Sequence, residues 1–105
     1  MVKMFAPLAL LGVLALPGLA NAHSAVFDCF DNGDGTVSCQ GGYSDGSSAA
    51  GVSIKVLDGK GAAIESLKLD KNSEISFKKP AGEYKVVFEG GEGHSIAVDS
   101  KNIVQ

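Results

Sequence analysis

Apolar and polar residues alternate along much of the chain after residue 24, and this period of two limits the possible folds more than any other feature of the sequence. The alternation is clearest in the segments GVSIKVLD and EYKVVFEG. The apolar members of these two segments are Val52, Ile54, Val56, Tyr84, Val86 and Phe88. Because successive side chains of a β-strand point to opposite faces, each segment predicts a strand with one buried face.

Turn-forming sequences separate the alternating segments: DGKG at 58–61, DKNS at 70–73, KPAG at 79–82 and GGEG at 90–93. They delimit seven predicted strands, at 25–30, 36–40, 51–57, 63–69, 74–78, 83–89 and 94–99. No segment shows a helical period over ten residues with capping residues at its ends. We therefore predict an all-β fold, a seven-stranded antiparallel sandwich of the Ig-like or prealbumin-like kind. The Gly/Ser-rich stretch 40–51 is expected to cross between the sheets, and a binding loop is the alternative for this stretch.

The segment 1–22 has the layout of a secretory signal peptide. Lys3 precedes an apolar run from Phe5 to Leu19, and Ala20-Asn21-Ala22 forms an A-x-A cleavage site. The run is shorter than the stretch of about 20 residues that a membrane-spanning helix needs. We expect residues 1–22 to be removed and residues 23–105 to form one domain without a membrane span, periplasmic or secreted. His23 would then be the first residue of the mature protein.

The composition of the segment 23–105 excludes several functions. It holds eight lysines, no arginine and twelve acidic residues, so its formal charge of −4 argues against a nucleic-acid-binding face. Both methionines, Met1 and Met4, belong to the signal peptide. A methionine-based copper(I) site in the mature chain is therefore excluded.

The two cysteines flank a hairpin signal. Between Cys29 and Cys39 lies FDNGDGTVS, in which Asn-Gly and Asp-Gly favour a tight β-turn. Thiols of exported proteins are normally oxidised, so we predict a Cys29–Cys39 disulfide across the first hairpin. Two thiolates bound to a metal ion are the alternative.

From Gly51 onward, over about two-thirds of the mature chain, the sequence resembles the carboxypeptidase regulatory-like or transthyretin-like family. The matching elements are the strand GVSIKVLD, the turn DKNS, the segment ISF and the segment PAGEYKV. The chain departs from the family pattern at Ser73, where glycine is more usual, and in its cystine-closed hairpin. The resemblance implies a prealbumin-like sandwich and leaves the activity open, since such domains serve as structural, adhesion or accessory modules. The ending EGGEGHSIAVDSKNI is similar to small exported proteins of this fold that are linked with nickel and cobalt uptake.

The only two histidines, His23 and His94, are the candidate metal ligands. An N-terminal His23 would offer its α-amine and its imidazole, and His94 would add a third nitrogen, a donor set that suits copper(II) or nickel(II). If every connection reverses the chain, strands 1, 3, 5 and 7 begin at the same end of the sandwich. His23 precedes strand 1 and His94 opens strand 7, so we expect both at this end. The loops there also carry four carboxylates, those of Asp45, Asp70, Glu89 and Glu92.

The sequence thus predicts an exported, non-enzymatic accessory protein that holds a divalent copper, nickel or cobalt ion, for delivery to a membrane transporter or another exported protein. The alternative is a non-catalytic structural or interaction module in which both histidines are incidental. Polysaccharide oxygenases use the same donor set, an N-terminal histidine with a second imidazole, which is called a histidine brace. A mature chain this short offers little room for the broad substrate-binding face of such an enzyme. We therefore expect no catalytic activity.

Overall fold

Seven β-strands account for most of the regular structure in the computed structural model, which describes residues 24–91 and 93–105. The strands are β1 (Ala25–Asp31), β2 (Thr36–Tyr43), β3 (Ser53–Asp58), β4 (Ala63–Lys68), β5 (Glu74–Lys78), β6 (Tyr84–Glu89) and β7 (Ser95–Asp99), followed by a single 3₁₀ turn, Ser100–Asn102. Within the described residues, no helix is long and apolar enough to cross a membrane. The predicted signal peptide, 1–22, and His23 lie outside the described residues.

The strands form two sheets, one of three strands in the order β1-β2-β5 and one of four in the order β4-β3-β6-β7. All pairings are antiparallel. The all-β, seven-stranded antiparallel sandwich predicted from the sequence is therefore confirmed. The end of the sandwich at which β1, β3, β5 and β7 begin is called the start pole below, and the opposite end is called the far pole.

Phe88 of β6 lies at the centre of the core between the sheets. Its side chain is fully buried, and its ring lies 5.2 Å from that of Phe27 on β1, measured between centroids. Gly41 of β2 faces the same ring: a Cβ at position 41 would lie 3.0 Å from Cε2 of Phe88 and 2.9 Å from Cδ1 of Leu69. The absence of a side chain on β2 thus lets the two layers approach each other closely.

Cys29 and Cys39 form the predicted disulfide. The two residues are direct partners in the β1–β2 register, with their Cα atoms 4.0 Å apart, and both are buried in the core. The disulfide therefore joins neighbouring strands of one sheet and does not bridge the two sheets.

Two strand boundaries differ from the sequence-based prediction by more than one residue, the end of β2 and the beginning of β3. β2 continues to Tyr43, three residues beyond the predicted end, because its pairing with β1 extends to Ala25↔Tyr43. β3 begins at Ser53 because Gly51 adopts a φ of +83° in the turn that precedes the strand. The shorter stretch that remains connects β2 to β3 and crosses from one sheet to the other, as predicted.

The edge strand β4 is the most exposed part of the wider sheet. Five of its six residues are exposed, Leu67 is half-buried, and Ile64 keeps 50% of its surface accessible. A sheet of three strands stacked on a sheet of four leaves one edge strand without an opposing partner, and the exposure of β4 fits that arrangement.

Candidate functional site

His94 lies at the start pole, in the turn that joins β6 to β7. Its backbone N–H donates to the carbonyl oxygen of Gly91 at 2.9 Å, and its own carbonyl oxygen accepts from the N–H of Gly90 at 3.2 Å. A Cβ at position 90 would lie 2.8 Å from that carbonyl oxygen and 2.6 Å from Cε1 of Phe88. Only glycine fits there, because position 90 lies against both the ring of Phe88 and the backbone of His94.

The imidazole of His94 meets Tyr43, the last residue of β2. The ring centroids lie 5.6 Å apart with an interplanar angle of 89°, an edge-to-face contact. Tyr43 also approaches Phe88 edge-on, at 6.2 Å. Because β2 and β7 belong to different sheets, Tyr43 connects the half-buried His94 to the opposite layer and to the centre of the core.

Ser24, the first described residue, is fastened to Ser44, the residue after Tyr43. The N–H of Ser24 donates to Oγ of Ser44, and the N–H of Ser44 donates to the carbonyl oxygen of Ser24, each at 2.8 Å. These bonds continue the β1–β2 ladder one residue beyond Ala25↔Tyr43. The beginning of the described chain and His94 are thus held by consecutive residues at the end of β2.

Two of the four carboxylates predicted at the start pole, those of Asp45 and Asp70, accept hydrogen bonds within turns. Oδ1 of Asp45 accepts from the N–H and the hydroxyl of Ser47, at 2.9 and 2.6 Å. Oδ1 of Asp70 accepts from two backbone N–H groups of its own turn. Glu89 lies 4.0 Å from the ammonium of Lys55, a loose surface ion pair. Glu92, the fourth predicted carboxylate, lies outside the described residues.

No three His, Cys, Asp or Glu side chains within 24–91 and 93–105 come together as a group that could hold a metal ion. Of the two predicted ligands, His94 is at the expected end of the sandwich, and His23 is outside the described range. The cysteines are joined in the disulfide and offer no thiolate. The described residues therefore contribute one imidazole to the predicted site.

The far pole carries a groove of about 580 Å³ beside Tyr84, lined by residues of the β3–β4 and β5–β6 connections and of the segment after β7. Near it, Nζ of Lys79 lies 2.6 Å from Oδ2 of Asp31. The hydrogen bond from Lys79, assisted by one from the Gly33 N–H, lowers the pKa of the Asp31 carboxyl, and the same carboxylate raises the pKa of Lys79. Burial raises the pKa of the Tyr84 phenol. The groove mixes lysines with acidic side chains, so its charge favours neither an anion nor a cation.

Comparison with known proteins identifies no relative of the chain. No protein-family model matches it, and no curated protein and no solved structure matches it either. The resemblance to the carboxypeptidase regulatory-like or transthyretin-like family therefore stays a prediction, and the candidate site is argued from the chain itself.

Sequence reasoning missed the structural role of Tyr43 and Ser44. Two glycines interrupt the alternation of β2, and the stretch GGYS therefore falls within the predicted crossover. The one signal in this stretch is Tyr43, a large aromatic residue. It lies on the same face of an extended strand as Cys39 and Gly41, because the three positions are spaced by two residues. Aromatic residues at such positions favour strands and half-buried surfaces.

Proposed function

We propose that the protein is an exported, periplasmic accessory protein that binds a divalent transition-metal ion, copper, nickel or cobalt, at the start pole. In this proposal the chain is cleaved after Ala22, His23 clamps the ion through its α-amine and imidazole, and His94 supplies a third nitrogen. The protein holds the ion and passes it to a membrane transporter or another exported protein, without catalysing a reaction.

One observation carries the proposal: Ser24 and His94 are attached to adjacent residues of the same strand end. Ser24 is hydrogen-bonded to Ser44, and His94 contacts the ring of Tyr43. His23 is bonded to Ser24, and a trans peptide separates consecutive Cα atoms by about 3.8 Å. An amine and an imidazole on His23 would therefore start within one residue of the segment that contacts His94.

The available donor atoms favour particular ions. Both cysteines are tied up in the buried disulfide, and both methionines precede residue 23, so the candidate donors are nitrogen atoms with carboxylate oxygens nearby. Imidazole and amine nitrogens suit copper(II) and nickel(II) better than copper(I), which prefers sulfur. A disulfide is also the normal state of a cysteine pair in an oxidising compartment, which supports export.

Native mass spectrometry of the protein purified from the exported fraction, with and without copper(II) or nickel(II), tests the proposal. We expect an N-terminus at His23, a mass two hydrogens below that of the dithiol form, and one retained metal ion per chain. An N-terminus elsewhere, or no metal retained at micromolar concentration, would refute the proposed site.

Three variants show which atoms bind the ion. His94→Ala removes the third nitrogen, and one extra residue placed before His23 moves the α-amine out of the chelate. Both should lower metal affinity by a factor of ten or more. Ser95→Ala, which alters the exposed neighbour of His94, is the matched control and should bind like the parent.

The exposed edge of β4 favours a second candidate function, a non-catalytic interaction module without a metal. A partner strand could pair with this edge through its backbone groups. This function predicts that His94→Ala leaves partner binding unchanged, whereas Ile64→Lys on β4 weakens it. Pull-down from the exported fraction measures partner binding by both variants, and native mass spectrometry measures their metal retention. The metal proposal predicts that His94→Ala loses the ion whereas Ile64→Lys keeps it.

A further inference from the structure

We propose that Tyr43 and Ser44 are positioning residues that hold His94 and the start of β1 at a fixed separation, so that the metal-binding groups are arranged before an ion arrives. Neither residue is assigned as a ligand. The inference rests on the proposed function for its consequence, tight metal binding, but its geometric part concerns the metal-free protein.

Tyr43 restrains the His94 side chain from across the sandwich. Its ring meets the imidazole edge-on at 5.6 Å and is itself placed edge-on against Phe88 at 6.2 Å. Phe88 has no accessible surface. The half-buried imidazole is thus linked, through the ring of Tyr43, to a fully buried aromatic ring of the core.

Ser44 restrains the other half of the site. Its hydroxyl oxygen accepts from the N–H of Ser24, and its N–H donates to the carbonyl oxygen of Ser24. Both hydrogen-bonding groups of the Ser24 backbone are therefore occupied by one residue. This holds the chain on the line of β1 up to the peptide that joins it to His23.

The two restraints share a rigid support. Tyr43 and Ser44 are consecutive, and the strand end that carries them is paired with β1 from Ala25 to Asp31 and cross-linked to it at Cys29–Cys39. A site whose ligands are held in place loses little conformational freedom on binding, and it therefore binds more tightly than the same ligands on mobile segments.

The test uses two pairs of variants. Tyr43→Leu removes the ring and Tyr43→Phe keeps it; Ser44→Ala removes the hydroxyl acceptor and Ser44→Thr keeps it. Ser76→Ala, which deletes a serine hydroxyl bonded to Ser38 on the outer face of the three-stranded sheet, is the control. In the metal-free proteins, NMR records the ring-proton shifts of His94 and the hydrogen exchange of the Ser24 N–H. Copper(II) and nickel(II) dissociation constants are then measured by competition with a chelator.

We expect Tyr43→Leu to shift the His94 ring protons and to weaken metal binding at least tenfold, with Tyr43→Phe within threefold of the parent. Ser44→Ala should speed exchange at Ser24 at least tenfold and weaken metal binding threefold to tenfold, and Ser44→Thr should restore both. Unchanged His94 shifts in Tyr43→Leu and unchanged Ser24 exchange in Ser44→Ala would overturn the positioning role, whatever the metal result.

The metal data separate this inference from the proposed function. If the parent protein binds neither ion, the proposed function fails, while the NMR measurements still decide whether the two residues hold the pole in place. If the parent binds an ion and all four variants bind it equally well, the metal site stands and the positioning inference is wrong. The thermal unfolding midpoint of Tyr43→Leu identifies a general loss of folding, in which case the Ser44 pair decides.

Discussion

The hydroxyl oxygen of Ser73 accepts a hydrogen bond from the backbone N–H of Ala49 at 2.9 Å, although the two residues lie 24 positions apart. Both are buried, and the carbonyl oxygen of Ser73 also accepts from the N–H of Gly41 at 2.9 Å. Ser73 has a φ of +63°, the one positive value of a non-glycine residue among those described. A single serine thus fastens the β4–β5 turn to the crossover between the sheets.

We predict that Ser73→Ala lowers the free energy of unfolding by about 1–3 kcal/mol, because it leaves the buried N–H of Ala49 without its partner. Ser73→Gly loses the same bond but relieves a left-handed backbone that costs a non-glycine residue about 1–2 kcal/mol. It should therefore destabilise less than Ser73→Ala by about that difference. Urea denaturation measures both, and equal losses would contradict the backbone argument.

Adjacent glycines on β2 should respond oppositely to alanine. Gly41→Ala places a Cβ within 3.0 Å of both Leu69 and Phe88, so we predict a loss of about 1–3 kcal/mol in unfolding free energy from overpacking. At Gly42 the nearest atom to an added Cβ is 3.9 Å away. Gly42→Ala should therefore stabilise the strand by about 0.5–1 kcal/mol. If chemical denaturation shows that both substitutions lower, or both raise, the unfolding free energy, position 41 does not face the core and position 42 does not face outward as assigned here.

Replacing both cysteines, as Cys29→Ala with Cys39→Ala, should lower the free energy of unfolding by about 2.5–3 kcal/mol, because a closed loop of roughly 11 residues no longer restricts the unfolded chain. Chemical denaturation of the double variant measures the loss. The parent protein treated with a mild reductant is the control. Cys29 and Cys39 are only 7% and 1% exposed, so their disulfide should stay intact in the folded protein. A negligible loss would show that the disulfide does little for stability.

The Asp31–Lys79 ion pair predicts a defined pH dependence. Because the pKa of the Asp31 carboxyl is lowered in the folded protein, the stability that this carboxyl contributes is fully present above its ordinary pKa of 3.8. That stability is lost as the pH falls through the lowered pKa. The raised pKa of Lys79 makes its contribution complete below 10.5 and lost as the pH rises through the raised value. Unfolding free energies measured from about pH 2 to 5 should fall less steeply for Asp31→Asn than for the parent.

Lys79→Met tests the same pair from its other side. It removes the ammonium that lowers the Asp31 pKa and leaves the bond from the Gly33 N–H, so the acid slope should lie between those of the parent and Asp31→Asn. At alkaline pH, from about 9 to 12, the variant should also lack the parent's loss of stability through Lys79. Superimposable pH profiles for the three proteins would show that the pair contributes nothing.

The strands were predictable because their signal is local. Alternation of apolar residues and turn sequences located all seven strands, and the Asn-Gly and Asp-Gly pairs between the cysteines indicated the hairpin that the disulfide closes. The prediction was least accurate at β2, where Gly41 and Gly42 interrupt the alternation. Glycine at 41 is required by the approach of Phe88 from the other sheet, a contact between distant parts of the chain that no local pattern indicates.

The candidate site was predictable only as a location. The antiparallel order of the strands brings His94 to the start pole, as the sequence indicated. The contacts of His94 and Ser24 with Tyr43 and Ser44 depend on the side-by-side register of β1 with β2 and on the stacking of two sheets. Neither the choice of stacked strands nor the reach of a side chain across them can be read from spacing along the chain.

The disulfide within one sheet has a consequence for the order in which the molecule is assembled. Its two cysteines are ten positions apart and are brought together by a tight turn between them, so the cross-link requires nothing that follows Cys39. If the chain is exported as proposed above, an oxidase can close the disulfide while the segment 40–105 is still being translocated. The later strands would then be added to a hairpin whose register the disulfide has already fixed. β5, which pairs with β2, would form its hydrogen bonds with a strand that cannot shift relative to β1.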